Sequence, residues 1–317
     1  MMYHLHFGPF LRLSAACLLL FSTLHLKAQD DDHPNLYTGA SSAILPKDAT
    51  EINLINSINS FWIAQNEFDG SIEATRITNR ARFSRADHIL RVLHGFSKSG
   101  RWDMGAEIYY TRARLDDQAR STPFRVYGNA FPESGTTYNG VSYIGVQVRG
   151  MPFAGLPELT LRGGYNHPIA NTPEKRLNLF AQRPVAYLNA LFIERLGPML
   201  LGQVQGDFRT YFRNDENTRT LLAPSASGYL IFEIGEKWYL LGGMSYNLTF
   251  QQSFKGASIL KANQQLYGSL GAIYRPGRLL SVILSGQVPF IFDSGSSYSV
   301  WVRESYVGLN LGLRVLL

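Results

Sequence analysis

Tyr306-Val307-Gly308-Leu309-Asn310-Leu311-Gly312-Leu313-Arg314-Val315-Leu316-Leu317 closes the chain, and its side chains alternate. Successive residues of a strand point to opposite sides. Val307, Leu309, Leu311, Leu313, Val315 and Leu317 therefore share one face, and Gly308, Asn310, Gly312 and Arg314 share the other. An apolar face that runs to the last residue, opposite small and polar groups, suits a strand with lipid on one side and water on the other. Such a strand closes a transmembrane β-barrel. The expected fold is all-β, an antiparallel up-and-down barrel with short periplasmic turns and longer extracellular loops.

The opposite end carries an independent signal. Residues 1–28 hold Arg12 near His4 and His6, an apolar core from Leu13 to Leu24, and Leu26-Lys27-Ala28 before Gln29. This is the pattern of a secretory signal peptide, its core shorter than the ~20 residues of a spanning helix. Cleavage is expected after Ala28. Cys17, the single cysteine, lies inside that core, with Leu18 to Phe21 still to follow, so it is not placed for lipidation. A mature chain without thiols excludes disulfides, cysteine nucleophiles and thiolate zinc sites.

The formal charge of +6 shrinks on export, because Arg12 and Lys27 leave with no acid, which makes it about +4. Basic and acidic residues are interspersed thereafter, so no polybasic stretch points to nucleic acid, and lipid phosphates are the natural partners of surface Lys and Arg. No apolar run after residue 28 approaches helix-spanning length, which leaves strands to cross the bilayer.

Period-two reading predicts twelve strands, at 51–64, 85–97, 101–113, 138–149, 158–167, 184–195, 198–212, 221–235, 237–250, 264–275, 278–289 and 304–317. The links between them alternate short and long. The long ones, 65–84, 114–137, 168–183, 213–220, 251–263 and 290–303, are the expected extracellular loops, and an even strand count puts both chain ends at the periplasm. Residues 72–97 can also be read as one long strand, since Ile72, Ala74, Ile77 and Phe83 keep a strand-like texture. The domain order follows: signal peptide 1–28, a polar segment 29–50 that is either a periplasmic tail or a lumen plug, and the barrel 51–317.

Parity within the strands sorts wall from interior. Leu200, Val204, Phe208 and Phe212 face one way and Gln203, Gln205, Asp207 and Arg209 the other; Trp238, Leu240, Met244, Tyr246, Leu248 and Phe250 oppose Tyr239, Ser245, Asn247 and Thr249. Trp238 and Phe250 are twelve residues apart. At ~45° tilt their rings would stand roughly 28 Å apart along the membrane normal, near the spacing of two aromatic girdles. The inward set is then Asp103, Glu107, Gln147, Arg149, Arg162, Gln203, Gln205, Asp207, Arg209, Glu233, Asn247, Asn310 and Arg314. Two segments fit less well: Val185–Ile193 is apolar on both faces, and His88 and His94 share a face with Leu90, Val92 and Phe96. Either the register slips there or the lumen is partly apolar.

Opposed acidic and basic walls can orient small hydrophilic solutes in a polar conduit. The same groups can instead pair across a narrow barrel and fill it, because buried charges need partners. An envelope hydrolase would need a nucleophile and base, or carboxylates and a histidine, grouped at one rim. His167 is the nearest candidate base, and no spacing ties it to a nucleophile, so a rim histidine is the simpler reading. Asp116-Asp117 and Asp215-Glu216 are adjacent loop acids, ordinarily solvated and only weakly suggestive of calcium. No glycine-rich phosphate loop is present; the glycines of Leu241-Gly242-Gly243 and Tyr267-Gly268-Ser269 sit in strands, where they relieve crowding or let a ring lie flat on the backbone. No cofactor is expected.

The chain resembles uncharacterised outer-membrane β-barrel proteins of the Bacteroidota. The resemblance lies in Leu36-Tyr37-Thr38-Gly39-Ala40, Ile44-Leu45-Pro46-Lys47, Arg101-Trp102-Asp103-Met104-Gly105, the segment Pro289 to Trp301 and the Ala28-Gln29 junction. It implies an envelope barrel and supplies neither substrate nor catalytic residue. Such barrels usually end in an aromatic residue read by the outer-membrane insertion machinery, and this chain ends in Leu316-Leu317; the alternating apolar residues before it preserve the rest of that recognition strand, which can pair through its edge. The expected function is a channel or transporter for small hydrophilic solutes in the outer membrane. The alternative is a non-conducting barrel that serves a protein complex of the envelope.

Overall fold

The computed structural model describes residues 44–66, 77–116, 122–127, 135–170, 172, 179, 181, 183–213, 220–252, 259–277, 279–293 and 307–317. The proposed signal peptide, most of segment 29–50 and the greater part of the long links lie outside them. The described residues form twelve strands: β1 Thr50–Asn66, β2 Ile77–Gly95, β3 Trp102–Asp116, β4 Gly135–Gly150, β5 Leu159–Pro168, β6 Val185–Gly197, β7 Leu200–Tyr211, β8 Thr220–Ile234, β9 Trp238–Gln252, β10 Ile259–Tyr274, β11 Leu280–Asp293 and β12 Val307–Leu316. Each pairs antiparallel with its sequence neighbours, and β1 pairs with β12, so the sheet is a closed up-and-down barrel. Closure removes the free edges that an open sheet would expose to lipid.

The seam runs from Glu51 opposite Leu316 to Ser60 opposite Val307. At its foot Thr50 N donates to Leu317 O (3.0 Å) and Leu317 N to Thr50 O (2.8 Å), so the last residue of the chain is bonded in both directions. Parity sets inside and outside. On β3, Trp102, Met104, Ile108 and Tyr110 are exposed outward, whereas Asp103, Glu107 and Thr111 are buried. On β12, Leu311 and Leu313 are exposed, whereas Gly312 and Arg314 are buried. This is the inverse of a soluble protein, and only a lipid exterior makes it favourable. No described helix is long and apolar enough to cross a membrane; the strands do so.

Strand ends differ from the sequence reading mainly on the loop side. β2 begins at Ile77 and pairs with β1 as far as Asn66, with a bulge at Gln65/Asn66, in line with the longer of the two readings of that segment. β9 and β10 pair up to Gln252 opposite Ile259, which shrinks the link expected at 251–263 to 253–258. The histidines that broke the pattern in β2 lie on the outer face. His88 Nδ1 is 2.6 Å from Asn56 Oδ1 and its ring packs near Tyr110 and Tyr127; His94 Nδ1 is 3.1 Å from Thr50 Oγ1. The register does not slip there: polar partners absorb both rings.

The interior is partly apolar, as the double-faced Val185–Ile193 segment implied. Leu201, Ile231, Tyr239, Leu241, Ile273 and Ile283 form one buried cluster near the short-turn end. Close ring packing on a strand glycine also occurs: a Cβ on Gly243 would lie 2.0 Å from Tyr229 Cδ1, so the ring needs a bare backbone there.

Candidate functional site

The interior polar residues are arranged in layers from the short-turn end upward. In the lowest, Asp103 and Arg149 are direct cross-strand partners of β3 and β4. Arg149 donates to Asp103 from Nη2 (2.7 Å) and Nε (3.1 Å), and Leu45 N donates to the same carboxylate at 3.0 Å. Glu51 accepts from Arg314 Nη2 at 2.8 Å, lies 3.8 Å from Arg149 Nη1, and accepts from Asn53 Nδ2 at 2.7 Å. Ile44 and Leu45, just ahead of β1, are buried. Two acids and two arginines thus close one network in which all four side chains are sunk in the wall.

The middle layer centres on Glu107. Arg91, its cross-strand partner on β2, donates at 3.1 Å. Tyr109 OH donates to Glu107 at 3.1 Å, and Tyr187 OH lies 3.0 Å from Glu107 Oε1 and 3.2 Å from Gln147 Oε1. Asn166 Nδ2 donates to Tyr109 OH. Arg162 stacks over the Tyr187 ring at 4.9 Å, and its Nε has no hydrogen-bond partner. Gly164 makes this stack possible, since a Cβ there would fall 2.4 Å from Tyr187 Cζ.

Above it, Arg209 Nε pairs with Asp207 at 2.9 Å, and Arg85 Nε with Asp87 at 2.8 Å, while Thr111 Oγ1 donates to Asp87. Described residues of the link between β5 and β6 reach into the mouth. Leu179 and Ala181 are buried there with Tyr143, Ala170 and Val185, and Tyr109, Tyr138 and Tyr211 pack against them. Tyr143 and Val185 point inward by parity, so Leu179 and Ala181 narrow the entrance from the loop side.

The remaining wall is milder. Ser245, Ser269, Ser281 and Ser285 are buried on the inner face of β9 to β11. Asn247 is opposite Ser225 and Gln265, and Asn310 Nδ2 reaches Ser285 Oγ at 3.4 Å. Gln203 is buried, Gln205 less so, and the Oε1 atoms of both have no hydrogen-bond partner. Glu233 pairs with Arg195 at 3.3 Å near the short turns. Arg91, Tyr109, Tyr187, Glu51, Arg85 and Asp87 belong to these networks although the sequence reading did not name them. Glu51 had a readable signal, as an acid at the start of the strand that must seal against Arg314.

His167 shares the outward face of β5 with Tyr165, whose OH is 3.5 Å from its Nδ1. Among the described residues no three His, Cys, Asp or Glu side chains approach closely enough to hold a metal ion.

No protein-family model matches the chain. No curated protein matches it either. Among solved structures it is similar to the COG4313 outer membrane channel from Pseudomonas putida F1, with TM-score 0.59 and 13% identity over 92% of this chain and 100% of that one. The β domain of the Bordetella autotransporter Brka (TM-score 0.47, 11% identity, 86% and 100% covered) and the Ralstonia pickettii toluene transporter TbuX (0.42, 9%, 86% and 90%) are more distant. At such identities the likeness is one of fold, that of an outer-membrane barrel.

Proposed function

We propose that this outer-membrane barrel is a channel for small hydrophilic solutes and that it favours anions. One observation carries the preference: in every luminal ion pair described above, the arginine is more exposed than its acid. Side-chain exposure is 52% for Arg209 against 8% for Asp207, 30% for Arg195 against 16% for Glu233, and 27% for Arg85 against 13% for Asp87. The pairs Arg91–Glu107, Arg149–Asp103 and Arg314–Glu51 lean the same way. Along the described wall six acids are paired with six arginines, Arg162 is a seventh, and the carboxylates are sunk beneath the guanidiniums. A solute therefore meets a cationic surface. Arg162, stacked over the Tyr187 ring, adds a further guanidinium to that surface. The serine-rich wall opposite offers neutral hydrogen bonds to the rest of the molecule.

Reversal potentials of the purified barrel in a planar bilayer under a potassium chloride gradient test this. An accessible charge at contact is worth on the order of 1 kcal/mol in water-like surroundings. Arg162→Gln with Arg209→Gln should therefore lower the chloride-over-potassium preference by roughly fivefold, with conductance retained. A correctly folded barrel that stays silent removes the channel reading, and an unchanged ratio in the double variant removes the role of these arginines.

A further inference from the structure

We propose that the chain enters β1 from inside the barrel, and that residues 34–43 dock along the luminal face of β1 and its neighbours as a plug filling one side of the conduit. The turn Pro46-Lys47-Asp48-Ala49 sets the direction. Ala49 N donates to Pro46 O at 3.2 Å, and Asp48, the third residue of the turn, has a φ of 69°. A β-turn of this kind reverses the chain. Because β1 leaves it upward, toward the loops, the residues ahead of it arrive from above.

They arrive on the luminal side of the wall. Gly95, at the end of β2, shares the inward face of Leu93, and a Cβ added to it would lie 2.0 Å from Pro46 O and 2.7 Å from Leu45 O. Only a bare backbone lets residues 45 and 46 lie against the strand there. Leu45 N donates to the inward Asp103 carboxylate at 3.0 Å, while Asp48 N donates to Gly95 O and Gly95 N to Ala49 O. Ile44 and Leu45 are 7% and 2% exposed, whereas the side chains of Lys47 and Asp48, at the tip of the turn, are 51% and 76% exposed. A tail that left the barrel downward would instead carry its first apolar residues into water.

The wall above Leu45 matches the residues that precede it. On the inner face of β1, Glu51 and Asn53 are wholly buried, and Asn53 Oδ1 has no hydrogen-bond partner, which leaves an acceptor for a backbone N–H passing beside it. Higher up, Ile55, Ser57 and Asn59, with Ile89 and Asn310 next to them, are half-buried and carry no charge. Residues 34–43 are likewise uncharged, with Leu36 and Tyr37 among small and hydroxyl side chains. These ten residues reach roughly 33 Å when extended. Asp103 and Thr111 are eight residues apart on β3, which at ~45° tilt is roughly 19 Å of height, so the stretch can run past every polar layer. The link between β3 and β4 does not compete for this space through its described turn: Pro123–Tyr127 lies on the outside, with Val126 buried on outward-facing Ile58 and Ala86. β7, which bears Arg209, stands halfway round the ring from β1, so the solute path past that arginine is on the far side of the plug.

A chain begun at Gln29 holds no cysteine, because Cys17 is the only one, and introduced thiols therefore report position cleanly. In such a barrel folded in detergent, Ser41→Cys should react with a bulky polyethylene-glycol maleimide about tenfold more slowly than Lys47→Cys, and equally fast once the chain is unfolded in guanidinium. A short bismaleimide should join Ser41→Cys to Ser57→Cys on the inner face of β1, and should not join it to Asn56→Cys, the adjacent outward residue. Equal rates in the folded barrel, or failure to link to position 57, overturns the proposal and makes the segment a periplasmic tail. Linkage to positions 56 and 57 alike overturns it too. None of these readouts requires conduction, so a silent barrel, which would remove the channel reading, leaves the docking of residues 34–43 to be decided by the thiols.

Discussion

Arg149 is the residue on which most of the lower interior depends. It is almost wholly buried, bonded to Asp103 and close to Glu51. Removing one partner of a buried pair leaves the other charge without compensation, which typically costs about 3–5 kcal/mol. Arg149→Ala should lower the urea midpoint of the detergent-folded barrel accordingly, whereas Arg149→Ala with Asp103→Ala should recover much of the loss. An Arg149→Ala barrel as stable as the parent would mean that water already reaches the Asp103 carboxylate. At this scale the sequence was informative where parity alone decides the answer. The inward places of Asp103, Arg149 and Glu107 follow from counting by two, though not the register that sets Asp103 opposite Arg149. Tyr187 does not, because its segment is apolar on both faces and nothing local shows that its hydroxyl crosses to Glu107, eighty positions earlier.

Among the elements, the β5–β6 link has described residues that are buried rather than solvated. Leu179 and Ala181 turn into the entrance and lie on a ring of tyrosines. A carboxylate in place of Leu179 would be buried without a partner at a cost of about 1–3 kcal/mol, enough to drive the link off its seat. Leu179→Asp should raise single-channel conductance, while an unchanged conductance would mean that the link does not limit the path. Strands were legible in the sequence because lipid and water impose a strict two-residue period on each. Links obey no such rule. The inward fold at Leu179 and the outward fold of Pro123–Tyr127 depend on tyrosines, Ile58 and Ala86 from strands remote in sequence. The overextended end of β2 was ambiguous for a related reason: beyond the bilayer, a strand no longer has to divide its faces between lipid and water.

The barrel as a whole is a sealed cylinder with its hydrophobic side outward, and that inversion can be tested on one strand. Leu311 and Asn310 are neighbours on β12 that face opposite sides. A basic residue on the lipid face near the midplane costs about 2–4 kcal/mol. Leu311→Arg should therefore reduce the folding free energy in lipid vesicles by that order, and Asn310→Arg by far less. Equal penalties would contradict the assignment of faces. The chain also enters this cylinder in a particular way. Leu45 is tied to a carboxylate of the inner wall, Asp48 N to Gly95 O, and Thr50 to the final residue. Tension applied to the polypeptide from below would thus reach Asp103 and its salt link before it could peel any staves apart, so a tug on the leading end is delivered straight to the floor of the conduit.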